Sequence, residues 1–89
     1  MTNSNNKPTE TIRDGSMKVD IWRNKTETGT LYNTNGVLRS YTDKDGKWHD
    51  TRSLTNSENL RASRLLALAD IRILELIAED KEAAKADQT

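Results

Sequence analysis

The residues best suited by type to do chemistry are few. His49, the only histidine, stands between Trp48 and Asp50. A His next to an Asp suggests a general base, yet that role needs a nucleophile and an oxyanion site converging on the ring. The segment reads as a strand, where neighbouring side chains point to opposite faces, so His49 and Asp50 do not share a face. The expectation is an exposed strand histidine. Asp43, Asp45 and Asp50 loosely resemble a calcium loop, but that loop needs Gly at its sixth position and Glu at its twelfth. Counting from Asp43, Gly46 is the fourth residue. Asp14-Gly15 and Asp45-Gly46 fit turns better. There is no glycine-rich phosphate loop, pair of catalytic carboxylates or nucleophile elbow. The sequence therefore predicts a protein that is not an enzyme, with no catalytic residue, no metal site and no cofactor.

Aromatic and basic residues say more. The chain carries 14 Lys and Arg against 14 Asp and Glu. That zero balance hides an asymmetry, because residues 12–64 hold ten bases and seven acids while the rest holds four and seven. Trp or Tyr beside Lys or Arg on an exposed sheet can stack bases and neutralise phosphates of a single strand. Lys18, Trp22, Arg23, Arg39 and Tyr41 are the candidates for such a surface. Against this stands a packing role for Trp22 and Trp48, since a small domain without Phe must use Trp and Tyr as its large apolar bodies. An excess of three positive charges is also a weak footprint for a nucleic-acid binder.

These residues need elements to position them. The chain has 89 residues, 33% hydrophobic and 31% charged, with no Cys and one Pro. One domain is the sensible count, and a disulfide scaffold, a transmembrane protein and a collagen-like chain are excluded. Residues 1–10 are polar and read as a disordered tail, 11–80 as the folded domain, and 81–89 as a fraying end of a helix. Strand signals cover Ile12-Arg13, Met17–Asn24, Leu31–Thr42 and Lys47–Leu54. Met17, Val19 and Ile21 alternate onto one face, with Lys18, Asp20 and Trp22 on the other. Asn35-Gly36 is either a hairpin turn, which gives five strands, or a bulge in one long strand, which gives four. The first hairpin arm would have only four residues, which favours the bulge.

A helix follows, with Asn56 as its expected cap and Ser57 and Glu58 in its first turn. Its apolar positions run from Leu60 to Ile77 and cover well over half the circumference. One sheet face needs a stripe only a little over 100° wide. The surplus predicts a homodimer, with Leu66, Ile73, Leu74 and Ile77 at the interface. The predicted architecture is α+β: an antiparallel meander of four or five strands followed by one long C-terminal helix.

Ile12-Arg13-Asp14-Gly15, Ile21-Trp22-Arg23-Asn24, Arg39-Ser40-Tyr41-Thr42-Asp43 and Gly46-Lys47-Trp48 with Asp50 carry a resemblance. The pattern resembles a group of small uncharacterised bacterial proteins in which a leucine-rich helix follows the strands. It spans about residues 11–77. In that group the segment before Arg-Ser-Tyr is one strand, which the resemblance extends to the bulge here. The architecture is also similar to the PC4/Whirly class of single-stranded-DNA-binding dimers, whose sheets form the nucleic-acid surface and whose helices help to form the dimer. That likeness implies a homodimer binding single-stranded DNA or RNA. The alternative is a small non-enzymatic protein-interaction module, of a kind that a phage or mobile element would encode. With no apolar run near the roughly 20 residues that span a bilayer, the expected location is the cytoplasm, with no membrane partner.

Overall fold

The computed structural model describes residues 7–87. Four strands, β1 (Glu10–Asp14), β2 (Met17–Thr26), β3 (Gly29–Thr42) and β4 (Trp48–Thr51), precede one helix, α1 (Asn56–Asp87). The strands form a single antiparallel sheet in the order β1-β2-β3-β4, so the architecture is an α+β meander followed by a long C-terminal helix.

The alternation in β2 drives the packing. Met17, Val19 and Ile21 are buried under α1 together with Val37 of β3. The helix meets them with Ala62, Leu65, Ala69 and Leu76. These positions recur at helical spacing and make one narrow stripe, and the two alanines allow α1 to lie close to the sheet. Ile12, Tyr32, Leu54 and Ile73 pack around the margin. This single core leaves the other sheet face open.

Asn35-Gly36 is a bulge. Val19 pairs with Val37 and Ile21 with Thr34, so Asp20 alone stands opposite both Asn35 and Gly36. Gly36 has φ +77°, a conformation that glycine adopts without the clash a side chain would bring. The extra residue keeps Val37 on the helix side while Tyr32, on the far side of the bulge, also faces α1 and bonds Asp80. Asp20 is buried on the other face, where it accepts from Thr11 Oγ1 at 2.7 Å and from Asn35 Nδ2 at 3.3 Å.

Several boundaries differ from the expectations. Asp14 pairs with Met17, so the two-residue loop is Gly15-Ser16 and not Asp14-Gly15. β4 stops at Thr51 because Arg52 turns to the Asn35 carbonyl and the Ser53 carbonyl accepts from Arg39. The helix is capped one residue earlier than Asn56. The Thr55 N–H donates to Glu58 Oε1 at 2.8 Å and the Glu58 N–H donates to the Thr55 carbonyl at 3.0 Å, so the local signal is Thr-x-x-Glu. Of the expected tail, residues 1–6 lie outside the described residues, whereas the Thr9 N–H donates to the Ile21 carbonyl and Glu10 opens β1. No helix among the described residues is long and apolar enough to cross a membrane.

Candidate interaction site

The candidate nucleic-acid residues are divided between the two faces of the sheet. Lys18 and Trp22 lie on the open face, as their alternation with Met17, Val19 and Ile21 requires. Lys18 Nζ is 3.6 Å from Asp50 Oδ2, and Ser40 donates to the other oxygen of that carboxylate at 2.8 Å. Arg39 stands opposite Met17 and is therefore on the helix side, together with Tyr41 two residues on. Arg23 is on the helix side as well, reaching Asp80 of α1.

The two arginines already have partners. Arg23 Nε donates to Tyr32 Oη at 3.2 Å and to Asp80 Oδ2 at 3.3 Å. Arg39 Nε lies 3.2 Å from Glu58 Oε1 and donates to the Ser53 carbonyl at 3.2 Å. Tyr41 stacks on His49 with centroids 5.4 Å apart. The indole of Trp48 is 72% exposed on the open face. Trp22 is opposite Asn33 and Trp48 opposite Thr42. At about 3.3 Å per residue the two indoles are roughly 30 Å apart, at opposite ends of that face.

His49 belongs to a turn. Its Nε2 is 2.7 Å from Asp43 Oδ2, while Asp43 Oδ1 accepts the backbone N–H groups of Asp45 and Lys47. The His49 ring and these donors hold the Asp43 carboxyl below its ordinary range. Both carboxylate oxygens are committed to shaping the loop. Among the described residues no cluster of three His, Asp or Glu side chains is placed to hold a metal ion.

Among the described residues four ion-pair groups fasten α1 along the sheet, Arg39–Glu58 at its start and three along its length. Arg61 donates to Asp14 at 2.8 Å, Arg72 grips both oxygens of Glu10 at 2.7 Å, and Tyr32 and Arg23 share Asp80. Hydrogen bonds from these arginines lower the Asp14 and Glu10 carboxyls, and the Tyr32 hydroxyl followed by Arg23 lowers Asp80. Burial is the main cause that raises the Tyr32 hydroxyl.

On the outward side of α1, Arg64 alone reaches a strand among the described residues, Nη2 lying 3.8 Å from Asp14 Oδ2. Leu60, Ala67, Ile71, Leu74 and Ala78 fall within a sector of about 60°, centred opposite Leu65, Ala69 and Leu76, at 3.6 residues per turn. Leu60 is 81% exposed and Leu74 59%. Of the four expected interface residues, Leu74 lies on this stripe, Ile73 packs against the core, and Leu66 and Ile77 are exposed on the side between the two stripes. The wheel places Leu60 and Ile71 in the apolar arc, but only the position of the sheet shows that they face away from it. Tyr32 and Asp80 escape sequence reasoning because 48 residues separate them. No known family, curated protein or solved structure matches the chain.

Proposed function

We propose that this chain is a non-enzymatic protein-interaction module that works as a homodimer, two copies joined along the outward stripe of α1. The observation that carries the reading is the stripe itself. Leu60, Ala67, Ile71, Leu74 and Ala78 follow one another at intervals of seven, four, three and four, the spacing of a coiled-coil seam. The protomer's dimensions support it: the radius of gyration is 16.1 Å, against about 12 Å for a compact domain of this length. It measures 18 Å along its shortest axis, too thin to bury more than one small core. Antiparallel pairing fits better than parallel, since parallel helices would set Arg64 of the same seam against its own copy.

Sedimentation equilibrium tests this. The wild type is expected to be at least dimeric at high micromolar concentration. Leu74→Glu, at an exposed position, should weaken association more than tenfold with an unchanged circular dichroism spectrum. A folded wild-type monomer at that concentration overturns the proposal.

Single-strand binding is the second reading, favoured by the uncovered sheet face that carries Lys18, Trp22 and Trp48. Oligo-dT titration separates the two. Salt-sensitive binding that Trp22→Ala weakens without unfolding the protein would put nucleic acid first.

A further inference from the structure

β3 is much longer than the strand beside it. β4 pairs only with residues 39–42, so residues 29–38 extend beyond it. Arg52 covers the upper part of this edge by donating to the Asn35 carbonyl. Among the described residues, no strand pairs with the outer edge of residues 29–34. Natural edges are usually protected by Lys, Pro or bulges. From Gly29 to Leu38 this one carries no charged residue, in a chain that is 31% charged. Its protection, Arg52 and the bulge, lies at the upper end of the open stretch.

Beside that edge, on the helix side, runs a shallow and largely apolar groove. It is lined by Thr30, Tyr32, Ile77, Asp80, Lys81 and Ala84, with no residue of β1 or β2, and so opens on the outer side of β3. On the opposite face, Leu31 is 58% exposed. An unpaired backbone edge, a groove along one side and an exposed leucine on the other are what an added strand would use.

We propose that residues 29–34 form a strand-addition site whose occupant is the same edge of a second copy, antiparallel about a two-fold axis at Tyr32. The absence of charge favours a copy over a foreign peptide. The two-fold axis sets the segment against itself, so any net charge on it would face the same net charge, which destabilises a strand pair. Paired residues must share a face, so Tyr32 meets Tyr32 of the second copy and Leu31 meets Asn33. Both helices then lie on one side of a continuous sheet, and the second helix closes the groove. The site extends the interaction-module reading without using the seam on α1. The two interfaces together give an assembly larger than a dimer.

The chain has no cysteine, which permits a test specific for register. Leu31→Cys and Asn33→Cys are made separately, both at exposed positions. Mild oxidation of either alone should give little covalent dimer, and oxidation of the mixture at least tenfold more. Adding Leu74→Glu to both should leave that yield unchanged. In the wild type, amide exchange over residues 29–34 should slow at least tenfold between low and high micromolar protein. No gain on mixing, or exchange independent of concentration, overturns the strand-addition site and leaves the helix dimer to its own test. Slowing produced by an added extended peptide but not by protein concentration assigns the edge to a foreign partner and overturns the second copy.

Discussion

The two sides of α1 are alike in composition and opposite in circumstance. On the inward side Leu65 is 1% exposed, and Ala62, Ala69 and Leu76 press against Met17, Val19 and Ile21. On the outward side Leu60 is 81% exposed and Leu74 59%. The flanks differ too. The inward stripe is bordered by Arg61, Arg72 and Asp80, each tied to a strand residue, whereas the outward stripe has one long contact, Arg64 Nη2 lying 3.8 Å from Asp14 Oδ2. The hydrophobic effect does not distinguish the two stripes by type. What distinguishes them is whether a partner surface lies within the same chain. The inward stripe is satisfied by folding, and the outward one requires association.

Substitutions can break or sharpen this contrast. The largest effect is expected at Leu65. Truncation to alanine leaves a cavity and should cost about 2–5 kcal/mol, a large part of a small domain's stability. Leu74→Ala should cost under about 0.5 kcal/mol in dilute solution, the usual bound for an exposed site away from special features. Urea melts at two protein concentrations measure both. Equal losses at low concentration would mean that the two sides are not different in kind.

Of the two sides of α1, acid should act on the inward one. Glu10, Asp14 and Asp80 all titrate below their ordinary values because Arg72, Arg61 and the Tyr32 hydroxyl favour the ionised forms. Lowered folded values mean stability that is present above the unfolded carboxyl range, near pH 4, and lost as pH falls through the folded values. The melting temperature should hold between about pH 7 and pH 5.5 and fall below about pH 4. A rise on acidification would show that these pairs do not hold the helix down.

The smallest effect belongs to Leu68, exposed but about 90° from the centre of either stripe at 3.6 residues per turn. Leu68→Gln should change stability by less than about 0.5 kcal/mol and leave the sedimenting mass alone. A loss of association would widen the outward stripe to include it.

The fold was legible where local patterns are strong. Alternation at Met17, Val19 and Ile21 gives β2 its buried face, and the four-residue arm before Asn35-Gly36 argues for the bulge over a turn. The surface residues were harder to read. Counting alternation forward from Met17 places Lys18 and Trp22, but Arg39 and Tyr41 fall on the helix side only through their register with β2 and β4. The open edge of β3 depends on where β4 stops, and that is decided by Arg52 and Arg39 reaching groups 17 and 14 residues away. Local sequence carries no signal for such contacts.

Gly36 also divides the chain's tolerance of gained and lost residues. Side chains in a strand have a phase of two, and the bulge is where that phase is reset between the halves of β3. Losing Asn35 or Gly36 would remove only the extra residue, keep Val37 opposite Val19 and Thr34 opposite Ile21, and leave Tyr32 facing Asp80, whereas losing Leu38 from the regular stretch would turn Arg39 and Tyr41 onto the open face. The same loss in the loop between Asp43 and Lys47 would shorten a turn and leave every strand in phase. A deletion of three bases therefore turns part of a strand over at Leu38, straightens the strand at Gly36 and only shortens a loop after Asp43.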